Sequence, residues 1–426
     1  MKKFLVVLLG TVFSGAQAQF NISVESSDSF SPKEVYLYTL SGSKDVLISK
    51  VEKNKNQWSF KYPKSYIGMM KAYFPENNYT LNFVSENKDI RLNLLAEGNK
   101  VTEVAYGDEA NALMNKVQDV QSKRENLLPV FYQIKNFYRP SSEFYKALDK
   151  EIEVLATSNL DTAKYPFIDF YNKAYQKFLV EDPKRKVTQE EVIGFFSNTS
   201  EYLETSGLMR PILIDFLKQT EPSALETSID QLLTAVNLES SRGQTVLSEL
   251  IEIFDMYSME SLKNKYLAKA QGLTCTINDR LSGTIEQNRK TAVGAIFENY
   301  KFENPTNTKA KSIYDIKTDK KVVVFWSSTC SHCETELPKF IPHYKDMKSK
   351  NIEIIGFSLD SNKEFYEAKA KMYPWINASE LKGWYSPVAE KYNVRATPSY
   401  FILDKDNKIL AKPNRLSEVL DYLGIK

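Results

Sequence analysis

Histidine and cysteine are scarce in this chain, and their scarcity limits its metal chemistry. The 426 residues include two histidines and three cysteines. A structural zinc site usually takes four Cys or His ligands, so this sequence has few residues from which to build one. The chain also lacks a large excess of charge of either sign, because Lys and Arg exceed Asp and Glu by only 56 − 54 = 2. This near-neutrality gives no indication of a nucleic-acid partner or an anionic membrane.

Long apolar runs are also rare, and the one that stands out opens the chain as "MKKFLVVLLGTVFSGAQA". Two lysines precede an apolar stretch, and Ala-Gln-Ala at residues 16–18 is typical of a cleavage site. This pattern predicts a secretory signal peptide over residues 1–18, with an uncleaved anchor as the alternative. We expect cleavage near Ala18 and a mature protein in the periplasm or cell envelope, where disulfides persist.

Periodicity divides the remaining sequence into three predicted domains, as its length suggests. Residues 19–106 contain short alternating segments such as "EVYLYTL" and "YTLNFV", which predict a β-sandwich domain. Residues 107–290 follow helical spacing and predict an all-α region of six to nine helices, with prolines such as Pro129 between them. Residues 291–426 alternate strands and helices, as in an α/β domain. The first two regions show no catalytic motif.

Two of the three cysteines form a C-x-x-C motif, Cys330 and Cys333, in "FWSSTCSHCETELP". Haem attachment requires a histidine directly after the second cysteine, and Glu334 stands there instead. Half of a zinc site and two structural thiols are the remaining alternatives to a redox pair. The motif follows the apolar run "KKVVVFWS" inside a βαβ pattern, which is typical of a thioredoxin-like redox motif. The third cysteine, Cys275, is interpreted as a buried structural residue.

The position of the motif predicts different roles for its two cysteines. Cys330 would begin a helix, where unpaired backbone N–H groups and the helix dipole favour a thiolate. Cysteine pKa values fall from about 8.5 to about 3.5–7.5 at such sites. We therefore expect Cys330 to attack and Cys333 to resolve the mixed disulfide. His332, between them, is expected to stabilise the thiolate and make the couple more oxidising, although an exposed histidine without a role is the alternative.

Residues 294–426 resemble the TlpA/ResA-type thiol-disulfide oxidoreductases of bacterial envelopes, which have a thioredoxin fold. The segments that carry the resemblance are "VGAIFENYKF", similar to a lead-in strand, "VVVFWSSTCSHCETELP", "IIGFSLDSNKEF" and "GWYSPVAEKYNVRATPSYFILDKDNKILAK". A β-sandwich and a helical region ahead of this domain resemble envelope proteins of the Bacteroidetes type. The resemblance implies redox chemistry carried by the two cysteines, so we expect no metal and no bound cofactor.

The resemblance also implies roles for three residues outside the motif. Pro398 would follow a cis peptide bond and face the C-x-x-C, with the backbone of Thr397 binding an extended substrate segment. Asp360 matches an acidic position of the family and would accept a proton from Cys333, although a strand-end or N-cap aspartate is an equal alternative. Two positions depart from related sequences: Thr329 replaces a common tryptophan, and Val324 replaces the buried aspartate of thioredoxins.

Two hypotheses of function follow from these observations. The first is an exported thiol-disulfide oxidoreductase that reduces or exchanges disulfides of envelope proteins through Cys330 and Cys333. Its partners would be cysteine-containing exported proteins and a membrane or periplasmic thiol that donates or accepts electrons. The second is an envelope binding or adaptor protein, in which the two N-terminal regions hold a partner and the redox domain is secondary.

Overall fold

The computed structural model describes residues 20–27, 29–158, 160–180 and 186–425. The predicted signal peptide, residues 1–18, lies outside the described residues. Within them, the chain forms a β-sandwich, a helical region and an α/β region in that order. This layout confirms the predicted fold class.

The first region consists of two four-stranded sheets with a common apolar core. Its strands within the described residues are β1 Phe20–Ser26, β2 Glu34–Ser41, β3 Lys44–Glu52, β4 Gln57–Tyr62, β5 Ile67–Phe74, β6 Tyr79–Glu86, β7 Ile90–Glu97 and β8 Lys100–Tyr106. The strand orders are β4-β1-β7-β8 and β3-β2-β5-β6. Trp58 of one sheet lies edge-on to Phe74 of the other, with 5.0 Å between ring centroids. Strands in which buried and exposed residues alternate therefore each bury one face, as in a sandwich.

The second region contains ten α-helices in its described residues, slightly more than the six to nine expected. They are α1 Glu109–Lys135, α2 Glu143–Thr157, α3 Pro166–Phe178, α4 Gln189–Asn198, α5 Tyr202–Ser206, α6 Met209–Gln219, α7 Leu225–Ala235, α8 Ser241–Met256, α9 Glu260–Gln271 and α10 Asp279–Thr291. Helix α8 lies at the centre, because every side chain from Gly243 to Phe254 is buried.

Pro129 corrects one sequence expectation, because it lies inside α1 and does not separate two helices. A proline in a helix removes one N–H donor and leaves the carbonyl four residues earlier without its partner. Both Pro129 and Glu125, which carries that carbonyl, are on the exposed side of the helix. Water can therefore bind the free carbonyl, and the helix continues.

The third region is a five-stranded sheet flanked by helices. Its strands are β9 Lys320–Trp326, β10 Ile352–Ser358, β11 Ile376–Ser379, β12 Ser399–Asp404 and β13 Ile409–Ala411, in the order β11-β10-β9-β12-β13. Its helices are α11 Ser331–Glu336, α12 Ile341–Ser349, α13 Lys363–Ala370, α14 Pro387–Lys391 and α15 Leu416–Leu423. The expected lead-in strand is absent from residues 293–302, which make isolated bridges at Ile296 and Lys301.

The three regions contact one another in pairs. The backbone N–H of Ser43, in the β2–β3 turn, donates a 2.8 Å hydrogen bond to Glu249 of α8. Tyr73 of the sandwich stacks on Tyr385 of the third region, with 3.7 Å between ring centroids. In the described part of the chain, no helix has both the length and the apolarity needed to cross a membrane.

Candidate active site

The two motif cysteines lie at the carboxyl end of β9, where the strand passes into α11. Strand β9 is rich in valine and almost fully buried, which suits the middle of a sheet covered on both faces. Cys330 is the N-cap residue of α11, and the backbone N–H of Cys333 donates to its sulfur at 3.1 Å. The two cysteines are joined as a disulfide. Cys330 is half-buried, whereas Cys333 is 1% exposed.

Thr397 and Pro398 lie against Cys330, although about 65 residues separate them in sequence. Strand β12 begins directly after Pro398 and pairs antiparallel with β9, with Ser399 opposite Phe325. This pairing places the Thr397 carbonyl oxygen 3.2 Å from the Cys330 sulfur. The Thr397–Pro398 peptide bond is cis, as the resemblance implies. A half-buried sulfur beside a backbone segment that is only partly buried is the arrangement that an extended substrate requires.

Asp360 is buried beneath the segment that leads into the motif. Strands β9 and β10 are parallel neighbours, so the residues after them meet at one edge of the sheet. The Asp360 carboxylate accepts hydrogen bonds from the hydroxyls of Ser327 at 2.9 Å, Ser328 at 2.7 Å and Ser358 at 2.6 Å. It also accepts one from the Ser328 backbone N–H at 3.0 Å. Among the described hydrogen bonds, none joins Asp360 to Cys333, so its direct partners are the serines.

Comparison with known proteins places this site within a family. Residues 293–412 match the AhpC/TSA family. The residues 293–412 form a thioredoxin-like domain of the AhpC/TSA family. We call this part of the chain the AhpC/TSA domain below. The match leaves the sandwich and the whole helical region, which ends at Thr291, outside it.

Curated relatives of the AhpC/TSA domain include two ResA proteins named thiol-disulfide oxidoreductases. The chain is 26% identical over 105 residues to ResA of Bacillus subtilis, covering 25% of this chain and 58% of the relative. It is 29% identical over 99 residues to ResA of Bacillus cereus, covering 23% and 56%. The chain thus spans little more than half the length of these relatives.

Solved structures similar to the AhpC/TSA domain include two from Bacteroides. One is the thioredoxin domain of a thiol-disulfide oxidoreductase from Bacteroides vulgatus, at 24% identity and a TM-score of 0.29. The match covers 31% of this chain and 96% of that one. The other is a thiol-disulfide oxidoreductase from Bacteroides fragilis, at 24% identity and a TM-score of 0.26, covering 30% and 98%.

His332 of the AhpC/TSA domain is exposed on the first turn of α11. No described hydrogen bond or ion pair joins it to either cysteine, so any influence on the couple acts through space. Cys275 lies apart in sequence, on the loop between α9 and α10. It is half-buried, which differs from the full burial expected, and the Gln244 side-chain nitrogen lies 3.5 Å from its sulfur.

Two parts of the site were not predicted from the sequence. The first is the set of serines around Asp360, and the "SS" and "SLD" segments after two neighbouring parallel strands were the signal for it. The second is the wall of a groove beside Pro398, which has a volume of about 270 Å³. Asp255 and Met256, at the end of α8, line this groove opposite the AhpC/TSA domain. The Asn393 side chain donates to Asp255 at 3.3 Å and fixes that contact.

Proposed function

We propose that this chain is an exported thiol-disulfide oxidoreductase that reduces or exchanges disulfides of envelope proteins. The observation that carries the proposal is the placement of Cys330 at a helix N-terminus, beside Cys333 and 3.2 Å from the Thr397 carbonyl. The curated relatives of this part of the chain are named for the same reaction. The expected signal peptide supports export.

The reaction proceeds by two exchanges of sulfur partners. The Cys330 thiolate attacks one sulfur of a substrate disulfide, forms a mixed disulfide and releases the other substrate sulfur as a thiolate. The Cys333 thiolate then attacks the Cys330 sulfur, forms the Cys330–Cys333 disulfide and releases the second substrate thiolate. The substrate gains two electrons and the couple loses two. An external dithiol restores the reduced couple, and the reverse sequence oxidises a substrate.

Thr397 and Pro398 are proposed to bind the substrate segment next to the reacting sulfur. The Thr397 carbonyl faces Cys330 and can accept a hydrogen bond from an extended chain laid along that edge. Asp360 is proposed to accept the Cys333 proton, and His332 to raise the reduction potential of the couple.

Turnover of a disulfide-bonded protein by the full mature chain, with an added dithiol, tests this function. We expect Cys330→Ser to abolish turnover, because the remaining motif thiol, Cys333, is buried and cannot reach a substrate disulfide. Cys333→Ser should accumulate that mixed disulfide, visible on a non-reducing gel. Cys275→Ser is the matched control, because it removes a thiol outside the motif and should retain full activity. Activity that survives in Cys330→Ser would refute the assignment.

The reduction potential of the couple distinguishes a reductase from an oxidase. A value near about −270 mV, as in thioredoxin, indicates a reductase, and one near about −120 mV, as in DsbA, indicates an oxidase. Equilibration with glutathione buffers measures it directly.

A binding or adaptor role is the second candidate, and one observation favours it. The helical region contributes Asp255 and Met256 to the groove beside Pro398, so a partner held there would contact both regions. Partner capture that persists in the Cys330→Ser, Cys333→Ser double variant would support this role, because it needs no disulfide exchange.

A further inference from the structure

A cavity of about 600 Å³ lies where the three regions meet. Strands of the sandwich, helices α6 and α8, and residues 382–395 of the AhpC/TSA domain form its walls. Its volume falls within the range of about 300–1,000 Å³ that is usual for small-ligand sites. Several aromatic side chains line it: Tyr36, Tyr38, Trp384 and Tyr385. We call it the junction cavity.

Basic side chains outnumber acidic ones on the walls of the junction cavity. Six lysines and arginines face three carboxylates. Two of the six already have carboxylate partners on the wall, since Lys71 pairs with Asp45 at 2.5 Å and Arg210 pairs with Glu252. The remaining four basic residues share a single further carboxylate, that of Glu390. They are Lys44, Lys50, Lys382 and Arg395.

Lys44 shows most clearly that positive charge in the junction cavity is uncompensated. Its side chain is half-buried, and it forms no ion pair with any described residue. Burial is the main cause that lowers the pKa of Lys44, and Arg280 and Arg395 also lower it, whereas Glu252 and Glu390 raise it in part. A desolvated ammonium among other cations is unfavourable unless an anion accompanies it. Among the described residues, Glu252 and Glu390 act on Lys44 only from beyond ion-pair distance, which leaves room for an anion in direct contact with it.

The junction cavity also lies next to the groove beside Pro398. Arg395 and Val394 line both cavities, and Arg395 is three residues before Pro398. Lys382 and Arg395 both belong to the AhpC/TSA domain, whereas Lys44 belongs to the sandwich. An anion bound between them would therefore contact two regions at once.

We propose that the junction cavity binds a small organic anion, one that carries a carboxylate or a phosphate group. Lys44 and Arg395, which both line the cavity, would contact its charge. The rings of Tyr38 and Tyr385, whose centroids are 5.4 Å apart, would contact its body. The redox reaction proposed above does not use this cavity, so the site is a separate one.

Isothermal titration calorimetry of the full mature chain at low ionic strength tests the proposal. The probes are citrate for carboxylates, glucose 6-phosphate for phosphates, and glucose as the neutral counterpart. We expect one-to-one binding of at least one anion and no binding of glucose. Citrate alone would identify a carboxylate ligand, and glucose 6-phosphate alone a phosphate ligand. Failure of both anions to bind at millimolar concentration would overturn the proposal.

Variants locate the binding in the junction cavity. Lys44→Gln should weaken binding by about tenfold or more, because its charge is partly desolvated, and Arg395→Gln should weaken it by a smaller factor of about two to five, because Arg395 is exposed. Lys100→Gln is the matched control, since Lys100 is an exposed lysine of the same sandwich. Arg395 is exposed, so its variant preserves the fold even if Lys44→Gln does not. Equal weakening in Lys100→Gln would place the binding elsewhere.

This measurement is independent of the redox activity. Binding heat does not require turnover, and the Cys330→Ser variant should bind the anion as the native chain does. If the native chain binds the anion but does not turn over a disulfide-bonded protein, only the proposed function is rejected. If the native chain shows turnover but does not bind the anion, only the anion site is rejected.

Discussion

Buried carboxylates in the helical region and in the AhpC/TSA domain are stabilised by different donors. Glu249 and Glu252 are nearly inaccessible to solvent and pair with the guanidinium groups of Arg210 and Arg280. Asp360, which is 5% exposed, accepts its hydrogen bonds from neutral serine hydroxyls and a backbone N–H. The arginines neutralise the buried negative charge of the two glutamates. The serine hydroxyls and the backbone N–H solvate the Asp360 carboxylate but leave its charge in place.

This difference separates a structural site from a chemically available one. In a cluster of paired opposite charges, every charged group is already occupied by a partner and is not available to a substrate. Removing one partner leaves an uncompensated charge in the interior. A carboxylate surrounded by hydroxyls can still take up a proton, because its donors are neutral in either state. The comparison therefore predicts stability effects in the helical region and chemical effects at Asp360.

Arg280→Met is expected to give the largest effect on stability. Removing one partner of a buried ion pair typically costs about 3–5 kcal/mol, because it leaves an uncompensated charge. Urea unfolding followed by circular dichroism measures the change. Arg289→Met is the matched control, since Arg289 is exposed and pairs with Glu286 on the surface. A similar loss of stability in both variants would show that the buried cluster has no special role.

Acid should weaken the helical region through Glu252. Burial alone would raise the pKa of Glu252, but Arg280, with smaller contributions from Arg210 and Arg395, outweighs burial and lowers that pKa from 4.5 to about 2. A depressed pKa stabilises the fold above the unfolded value, and this contribution is lost as pH falls through the folded value. The free energy of unfolding should therefore decline between about pH 4.5 and about pH 2. Urea titrations across this range should show a shallower decline in Arg280→Met than in the native chain.

Asp360→Asn should have a smaller effect on stability and a distinct effect on chemistry. The amide presents donors to serine groups that already donate, and an unsatisfied buried polar group costs about 1–3 kcal/mol. If Asp360 accepts the Cys333 proton, resolution of the mixed disulfide should slow and its pH dependence should flatten. Stopped-flow single-turnover rates at several pH values measure both.

Ser358→Ala is the control for Asp360→Asn. It removes one hydrogen-bond donor and keeps the carboxylate, so the pH profile should be retained. An unchanged profile in Asp360→Asn would leave Asp360 as a residue that positions the loop and does not move protons.

His332→Ala should give the smallest effect, because His332 is exposed and solvent screens its influence. If the imidazole favours the Cys330 thiolate, its loss should lower the reduction potential by up to about 30 mV, which corresponds to about 1.4 kcal/mol for two electrons. Glutathione equilibration measures the shift. Ser331→Ala, at the neighbouring exposed position, should leave the potential unchanged, and equal shifts would contradict a specific role for the imidazole.

Local patterns predicted most of the strands in this fold. Alternation identified strands such as β2 and β6, and unbroken apolar runs identified β9 and β10. Strand β1 carries the same alternation and was overlooked beside the predicted signal peptide. Strand β8 exposes residues on both faces, and β11 has only four residues, so neither has a strong periodic signal.

Tertiary contacts account for what the sequence did not predict at the sites. The C-x-x-C spacing identified both cysteines, but the contact between Cys330 and Thr397 arises from the pairing of β9 with β12 and was expected only through the resemblance. The buried ionic cluster had a local signal, since Glu249 and Glu252 interrupt an apolar helix. Their partner Arg280 is about 30 residues away, and periodicity does not identify such a partner.

The N-cap position of Cys330 has a consequence for the stability of α11. The sulfur that exchanges electrons also accepts the Cys333 N–H at the first turn of this helix. A thiolate is a charged acceptor, and charged acceptors form hydrogen bonds roughly twice as strong as neutral ones. The hydrogen bond from the Cys333 N–H is therefore stronger in the reduced thiolate state than in the disulfide state, where a covalent bond joins the same two residues instead. Amide hydrogen exchange at the start of α11 would then report the oxidation state of the protein without any substrate.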